Sequence, residues 1–301
     1  MGTLSVTSTR QPVRDIATLR TICHADKIAQ NSSPWYVLQR RVSIYLTWLL
    51  LHTGLEANHV TLISVGLALL GGVLLAMRPA ELALAGALAF VAHQLFDKAD
   101  GDIARFRKTY SIVGIYLDEL GHAVAFAGIF VGLGLHIAWR TPGGGALVAV
   151  LLTSTLGALA MVLSRQHKSV GFLLYAQNVL THPELVPRIR AGGWRSAITR
   201  DAVHDSRRSV GATRDLIVRV GDLALQLSDF SVLVVLVLVG TILEVAMGSN
   251  AFLIGVQFGE AALQGLVFVT VVAVNATVNV ESEVARLDAL VKGRDNLEAS
   301  R

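Results

Sequence analysis

Long apolar stretches alternate with short charged ones along this chain, and their lengths indicate helices that cross a membrane. A helix needs about 20 mostly apolar residues to cross the hydrocarbon core of a bilayer. Six segments meet or approach that length: residues 60–77, 82–96, 120–139, 145–163, 230–248 and 251–280. The pattern therefore predicts an all-α fold, an integral membrane bundle of six helices.

The segment 35–54, which precedes the first span, is predicted to lie on the membrane surface. It begins at a Ser33-Pro34 helix-start signal, carries Arg40 and Arg41, and mixes aromatic side chains with Leu and Ile. Such a composition is typical of an interfacial amphipathic helix. A short first span is the alternative, and it would conflict with the charge distribution described below.

These segments divide the chain into four parts. Residues 1–34 are predicted to be a loosely ordered cytoplasmic tail, 35–54 the interfacial helix, 55–280 the six-span membrane domain, and 281–301 a second cytoplasmic tail. A 65-residue insert, 164–228, separates the fourth span from the fifth and contains ten basic residues.

Composition and charge agree with a membrane protein and indicate its orientation. Hydrophobic residues make up 53% of the chain and charged residues 16%, which excludes an ordinary soluble domain of this length.

With the N-terminus inside, all but two of the 26 basic residues lie on the inner side, the exceptions being Arg78 and Arg140. The positive-inside rule then places both termini in the cytoplasm, and the predicted location of the protein is the cell inner membrane. The net charge of +4 suits the anionic surface of a lipid bilayer. Nucleic-acid binding is not expected, because no basic stripe is interleaved with aromatic residues.

The stretch 96–122 places ionisable residues between two apolar segments, and helical spacing sorts them onto two faces. The face at the end of the second span carries Asp97, Asp100, Gly101 and Ala104. The face at the start of the third span carries Gly114, Asp118 and His122. Because only residues 106–111 link the two helices, both faces are expected to look into one cavity.

Three carboxylates that converge beside hydrocarbon would repel one another and would be costly to desolvate. A divalent cation relieves both costs, and hard oxygen ligands favour Mg²⁺ or Mn²⁺. One or two such ions held by Asp97, Asp100 and Asp118 would suit phosphoryl chemistry. Arg105 and Lys98 are then expected to meet phosphate oxygens.

The residues also resemble a known family signature. "DKADGDIAR", followed by eight residues and "GIYLDELGH", is similar to the signature of the CDP-alcohol phosphotransferases, D-x2-D-G-x2-A-R-x8-G-x3-D-x3-D. Seven of its eight fixed positions are present: Asp97, Asp100, Gly101, Ala104, Arg105, Gly114 and Asp118. "ANHVTLISV", residues 57–65, resembles the family's Pro-Asn-x-Val-Thr start of the first span, with Ala57 where proline is usual.

The resemblance implies a reaction of phospholipid biosynthesis at the cytoplasmic face. A CDP-linked donor, often CDP-diacylglycerol, would bind with its pyrophosphate on the metal ions; an alcohol acceptor would attack the phosphorus, and CMP would leave. Asp97, Asp100 and Asp118 would be the metal ligands. The residues implied to line the cytidine and phosphate pocket are Asn58, Thr61, Gly101, Ala104, Arg105 and Gly114. A homodimer is also implied, while the acceptor alcohol is not identified.

His122 departs from the signature, because it stands where the family has a fourth aspartate, the proposed general base that also touches a metal. Imidazole can accept a proton at neutral pH and can also bind a metal. His122 and Asp118 are therefore the predicted catalytic residues, and His122 is also a predicted metal ligand. The lost negative charge should weaken a second metal, so a catalytically silent or regulatory protein of the same fold is one alternative. An ion-coupled transporter is another, although transport sites tend to lie near the membrane midplane.

Other polar residues have more than one interpretation. His93 is expected to be a buried, hydrogen-bonded histidine or a support for the metal ligands. Asp102 and Glu119 are expected to be solvated or helix-capping. Glu260 lies inside the last span and could form part of an acceptor cavity or hydrogen-bond a neighbouring helix.

Overall fold

A computed structural model describes residues 15–30, 34–109, 111–140, 143–181 and 229–277, and within these ranges the protein is all-helical, without strands. The described helices are α1 (Ile16–Gln30), α2 (Pro34–Leu51), α3 (Ala57–Leu75), α4 (Ala80–Arg107), α5 (Ile112–Ala138), α6 (Gly144–Thr181), α7 (Phe230–Met247) and α8 (Ala251–Thr277). The predicted all-α fold class is confirmed.

Each of the six predicted spans corresponds to one helix, from α3 to α8. Five of these helices, α3, α4, α5, α7 and α8, are long and apolar enough to cross a membrane, while the apolar part of α6 is shorter, Leu147–Leu163. Both α4 and α5 are longer than their predicted apolar segments, because the helical backbone continues into the charged stretch between them. The chemistry-bearing residues therefore lie on helices rather than on a loop.

The described residues fall into two compact units. Residues 15–158 with 229–261 belong to one, and residues 159–181 with 262–277 belong to the other. Helix α6 continues to Thr181, beyond the predicted end of its span at residue 163 and into the predicted insert 164–228. The remainder of that insert and the predicted tail 281–301 lie outside the described residues.

Glycines allow α3 to approach its neighbours α4 and α5 closely. A Cβ atom on Gly132 of α5 would lie 2.7 Å from the carbonyl oxygen of Gly72 in α3, and one on Gly86 of α4 would lie 2.8 Å from that of Gly71. Gly72 also faces Gly128, whose Cα would lie 3.1 Å from an added Cβ. Small residues at such crossings are how membrane helices bring their backbones together.

Helix α1 corrects the prediction of a loosely ordered tail over residues 1–34. Leu19, Cys23 and His24 are buried in it, and the helix packs against α2 and α4. Burial raises the pKa of the Cys23 thiol to about 12, so the thiol stays protonated at neutral pH. Residues 1–14 and 31–33 of the predicted tail lie outside the described part of the chain.

Helix α2, Pro34–Leu51, covers most of the segment 35–54 that is predicted to be interfacial, and its apolar and polar faces differ in exposure. The apolar side chains of Leu38, Tyr45 and Leu49 are exposed, whereas Arg40 and Thr47 are buried on the side that packs against α4. An exposed apolar face and a buried polar face are the reverse of a water-soluble helix. This arrangement agrees with a helix that lies against lipid.

Candidate metal centre

A tight reversal between α4 and α5 positions the charged stretch. Helix α4 runs without a break through Arg107 and ends at Lys108, whose φ of 55° lies in the left-handed region. Ser111 then caps α5, because its hydroxyl accepts a hydrogen bond of 2.8 Å from the backbone N–H of Gly114. The end of α4 and the start of α5 are thereby held side by side, as the short link in the sequence predicts.

Three of the four predicted metal ligands meet at this reversal. One ligand atom from each of Asp97, Asp118 and His122 lies within 4.8 Å of the others. The Nε2 atom of His122 is 3.5 Å from Asp97 Oδ1 and 3.4 Å from Asp118 Oδ1. We refer to these three residues as the acidic triad.

The chemistry of the acidic triad fits a divalent cation. It offers two carboxylates and one imidazole from two helices, and Mg²⁺ or Mn²⁺ takes oxygen ligands while leaving other positions to water or phosphate. The side chain of Asp118 is 42% exposed and that of His122 only 16%, so the triad is open on its Asp118 side. The His122 ring stacks on the buried Phe126, with centroids 5.9 Å apart and an interplanar angle of 24°, which limits the orientations of the imidazole.

Asp100, the fourth predicted ligand, is more buried than the acidic triad and lies outside that group. Its Oδ2 atom accepts a hydrogen bond of 2.7 Å from the Thr61 hydroxyl of α3. Thr61, predicted to line the nucleotide pocket, therefore contacts the Asp100 carboxylate. The role of Asp100 as a metal ligand remains a prediction.

Asn58 and Gly114, two other predicted pocket residues, are direct neighbours. A Cβ atom on Gly114 would lie 2.8 Å from Asn58 Oδ1 and 3.0 Å from the Ser111 hydroxyl. The Ser111 hydroxyl is itself 3.4 Å from Asn58 Oδ1. Glycine at position 114 is thus what allows the start of α5 to approach the start of α3.

The remaining predicted pocket residues, Gly101, Ala104 and Arg105, lie on the last turns of α4. The guanidinium of Arg105 folds back over Gly101, with its Nη atoms 3.4 Å from the position that a Cβ would take. Arg105 therefore bounds the space beside Gly101, which the resemblance assigns to the nucleotide pocket. Ala104 is partly buried.

The prediction that Asp102 is solvated or helix-capping is wrong. Asp102 is fully buried, and its carboxylate pairs with Arg40 at 2.9 Å and with Arg105 at 2.5 Å. The sequence does contain a signal for this: Arg40 and Thr47 lie two turns apart on α2, on one face of that helix. A polar face on an otherwise apolar helix indicates a polar partner.

Two further polar residues of α4, His93 and Lys98, are buried. His93 is buried and its Nδ1 lies 2.8 Å from the Ser64 hydroxyl, which confirms the interpretation as a buried, hydrogen-bonded histidine. Lys98, expected at the phosphates, is also buried, and its Nζ lies 3.5 Å from the Gln94 carbonyl oxygen. In the described residues it therefore sits among protein groups rather than at an open surface.

A comparison with protein families agrees with this site. Residues 55–180 match the model of the CDP-alcohol phosphatidyltransferase family, and the match includes all of the acidic triad. No curated protein matches the chain. This part of the chain is therefore similar to a CDP-alcohol phosphatidyltransferase domain, in agreement with the signature in the sequence.

Proposed function

We propose that the part of the chain similar to that domain, residues 55–180, transfers a substituted phosphate from a CDP-linked donor to an alcohol and releases CMP. The family assignment supports a transferase role in phospholipid synthesis. The observation that carries the finer proposal is the convergence of Asp97, Asp118 and His122 at the reversal between two apolar helices.

The acidic triad would hold one or two Mg²⁺ or Mn²⁺ ions, with Asp100 as a further candidate ligand. When bound, the metal would neutralise charge that develops on the phosphate oxygens. Without such a cation, the negative charges of Asp97, Asp100 and Asp118 would repel a diphosphate. The residue types therefore support an enzyme that depends on a divalent metal.

His122 and Asp118 are the proposed catalytic residues. The acceptor hydroxyl would give its proton to this pair while its oxygen forms a bond to the donor phosphorus. The bond between that phosphorus and the oxygen of the CMP phosphate would break, and CMP would leave with that oxygen. His122 suits the role of base, since an imidazole can take a proton at neutral pH.

A lipid donor, CDP-diacylglycerol, is proposed because apolar side chains are exposed at the start of α5, the helix that carries Asp118 and His122. Val113, Ile115 and Tyr116, at the start of α5, are all exposed. Exposed apolar side chains on the same helix as Asp118 would let acyl chains stay in the bilayer while the diphosphate reaches the triad. Asn58, Thr61, Gly101, Ala104, Arg105 and Gly114 would line the cytidine and phosphate pocket.

The proposal also places the protein in the cell inner membrane as a homodimer, with both termini and the active site on the cytoplasmic side. The distribution of basic residues along the sequence supports that orientation. Family resemblance supports the homodimer.

His122 in place of an aspartate supports one alternative, a catalytically silent or regulatory protein of the same fold. One assay separates the two. The purified full-length protein is incubated with CDP-diacylglycerol or a soluble CDP-polyol, together with Mn²⁺ and a panel of alcohols, and released CMP is measured.

The expected result is CMP release that requires both Mn²⁺ and one of the alcohols. Asp118→Asn should lower the rate by about 100-fold or more, since it removes a metal-binding charge. Glu119→Gln is the matched control, because it removes a neighbouring carboxylate that lies outside the triad, and it should retain activity. No CMP release from any CDP-linked donor would favour the silent alternative.

A further inference from the structure

Asp102 is bound on all sides by donors from three helices. Its Oδ1 atom accepts hydrogen bonds from Arg40 of α2 at 2.9 Å and from Arg105 of α4 at 2.5 Å. Its Oδ2 atom lies 2.9 Å from Nε2 of His24 in α1 and accepts from the Thr47 hydroxyl of α2 at 3.3 Å. A carboxylate has about four acceptor positions, so all of them are used by protein groups.

Because protein groups use all acceptor positions of its carboxylate, Asp102 has a different role from the nearby predicted metal ligands Asp97 and Asp100. Asp97, Asp100 and Asp102 lie within six residues of one another, yet Asp102 is fully buried and keeps no acceptor position for a metal ion. Its single negative charge forms ion pairs with two positively charged guanidinium groups, those of Arg40 and Arg105. The group therefore keeps a net positive charge, which suits a place next to a diphosphate.

Arg105 is the member of this group that reaches toward the ligand face. Its guanidinium lies over Gly101, and Gly101 lies on the same face of α4 as Asp97 and Asp100. Its Nη2 is fixed by Asp102, whereas its buried Nε finds no acceptor among the described residues. An anion bound at this face would supply that acceptor.

We propose that Asp102 is a positioning residue, which holds the Arg105 guanidinium in place for the phosphates of the donor. His24 of α1 and Arg40 of α2 complete the anchor, so the two helices that precede the spans contribute to donor binding. This inference rests on the proposed function, because it takes a CDP-linked donor as the ligand of Arg105.

A double-mutant cycle tests whether Asp102 acts through Arg105. Binding of CDP in the presence of Mn²⁺ is measured by calorimetry on the full-length protein in lipid nanodiscs, for wild type, Asp102→Asn, Arg105→Ala and the double variant. Asp102→Asn keeps the shape of the side chain and removes its charge. We expect it to weaken CDP binding by about tenfold in the wild-type background and by less than about twofold in the Arg105→Ala background.

Glu244→Gln is the matched control. Glu244 is also a buried carboxylate that pairs with a histidine and an arginine, at 2.7 Å from His136 Nε2 and 2.6 Å from Arg140 Nη1. His136 is 14 residues beyond His122 on α5, which places this pair about 21 Å away along the helix axis. The control should lower thermal stability and leave CDP affinity unchanged.

The outcomes are distinct. Losses in Asp102→Asn and Arg105→Ala that simply add in the double variant would overturn the inference, because a structural effect does not depend on Arg105. Wild-type protein that binds no CDP with Mn²⁺ would instead contradict the proposed function. If Asp102→Asn does not fold, Asp102→Glu keeps the charge and displaces the oxygens; unchanged CDP affinity in that variant would also overturn the inference.

Discussion

A single residue, His122, decides how this site differs from the signature that its sequence resembles. The Nε2 atom of His122 lies within 3.5 Å of carboxylate oxygens of both Asp97 and Asp118, so its imidazole belongs to the acidic triad. An imidazole is neutral or positive where an aspartate would be negative. The exchange therefore removes negative charge, and we expect it to weaken the binding of a second cation.

His122→Asp is expected to restore that charge. Because cation affinity rises with the number of charged ligands, Mn²⁺ should bind about tenfold more tightly, and CMP release should stay the same or increase. Mn²⁺ titration by electron paramagnetic resonance measures the first effect, and the CMP assay measures the second. A complete loss of activity with intact folding would show instead that the reaction requires the imidazole.

Helical spacing along the sequence predicts most residues of the candidate site, but it does not predict the burial of Asp102. Asp97, Asp118 and His122 share faces by helical spacing alone, and the structure brings them together. The burial of Asp102 depends on His24 and Arg40, which are 78 and 62 residues away in the sequence. The polar face of α2 indicates a polar partner, but no local pattern identifies Asp102, so far away in the chain, as that partner.

At the scale of elements, the reversal between α4 and α5 brings the acidic residues together, and α3 supports both helices. The predicted apolar segments ended at residue 96 and began again at residue 120, whereas the helices continue to Arg107 and begin at Ile112. Hydropathy marks only the part of a helix that lies in hydrocarbon. The polar ends of the helices, which carry the site, were predicted from helical spacing instead.

Close packing of α3 against α4 makes Gly86 a sensitive position. A Cβ atom there would lie against the backbone nitrogen of Leu75 and 2.8 Å from Gly71 O, and neither backbone atom can move away cheaply. Gly86→Ala should destabilise the protein by about 1–3 kcal/mol, measured as a lower midpoint in thermal unfolding. Gly66→Ala, in α3 itself, is the control, because no atom lies within 4 Å of the added Cβ. Equal midpoints for the two variants would contradict the packing described for α3 and α4.

At the scale of the whole molecule, the predicted orientation in the membrane puts the acidic triad on the cytoplasmic side. The basic residues predict that the turn after α3 is outside and the reversal after α4 is inside.

The chain has one cysteine, Cys23, so single cysteines introduced into a Cys23→Ser background can report on each side of the membrane. In intact cells, a membrane-impermeant maleimide should label Arg78→Cys and leave Thr109→Cys unlabelled until the membrane is opened. Both positions are exposed, and the reversed labelling pattern would overturn the orientation.

The most direct measurement is the anomalous scattering of Mn²⁺ in a crystal of the protein with CDP bound. A manganese peak about 2–2.5 Å from carboxylate oxygens of Asp97 and Asp118, next to the nucleotide diphosphate, is the result that we predict. A bound CDP with manganese elsewhere, or with no manganese between these two helices, would contradict the central claim.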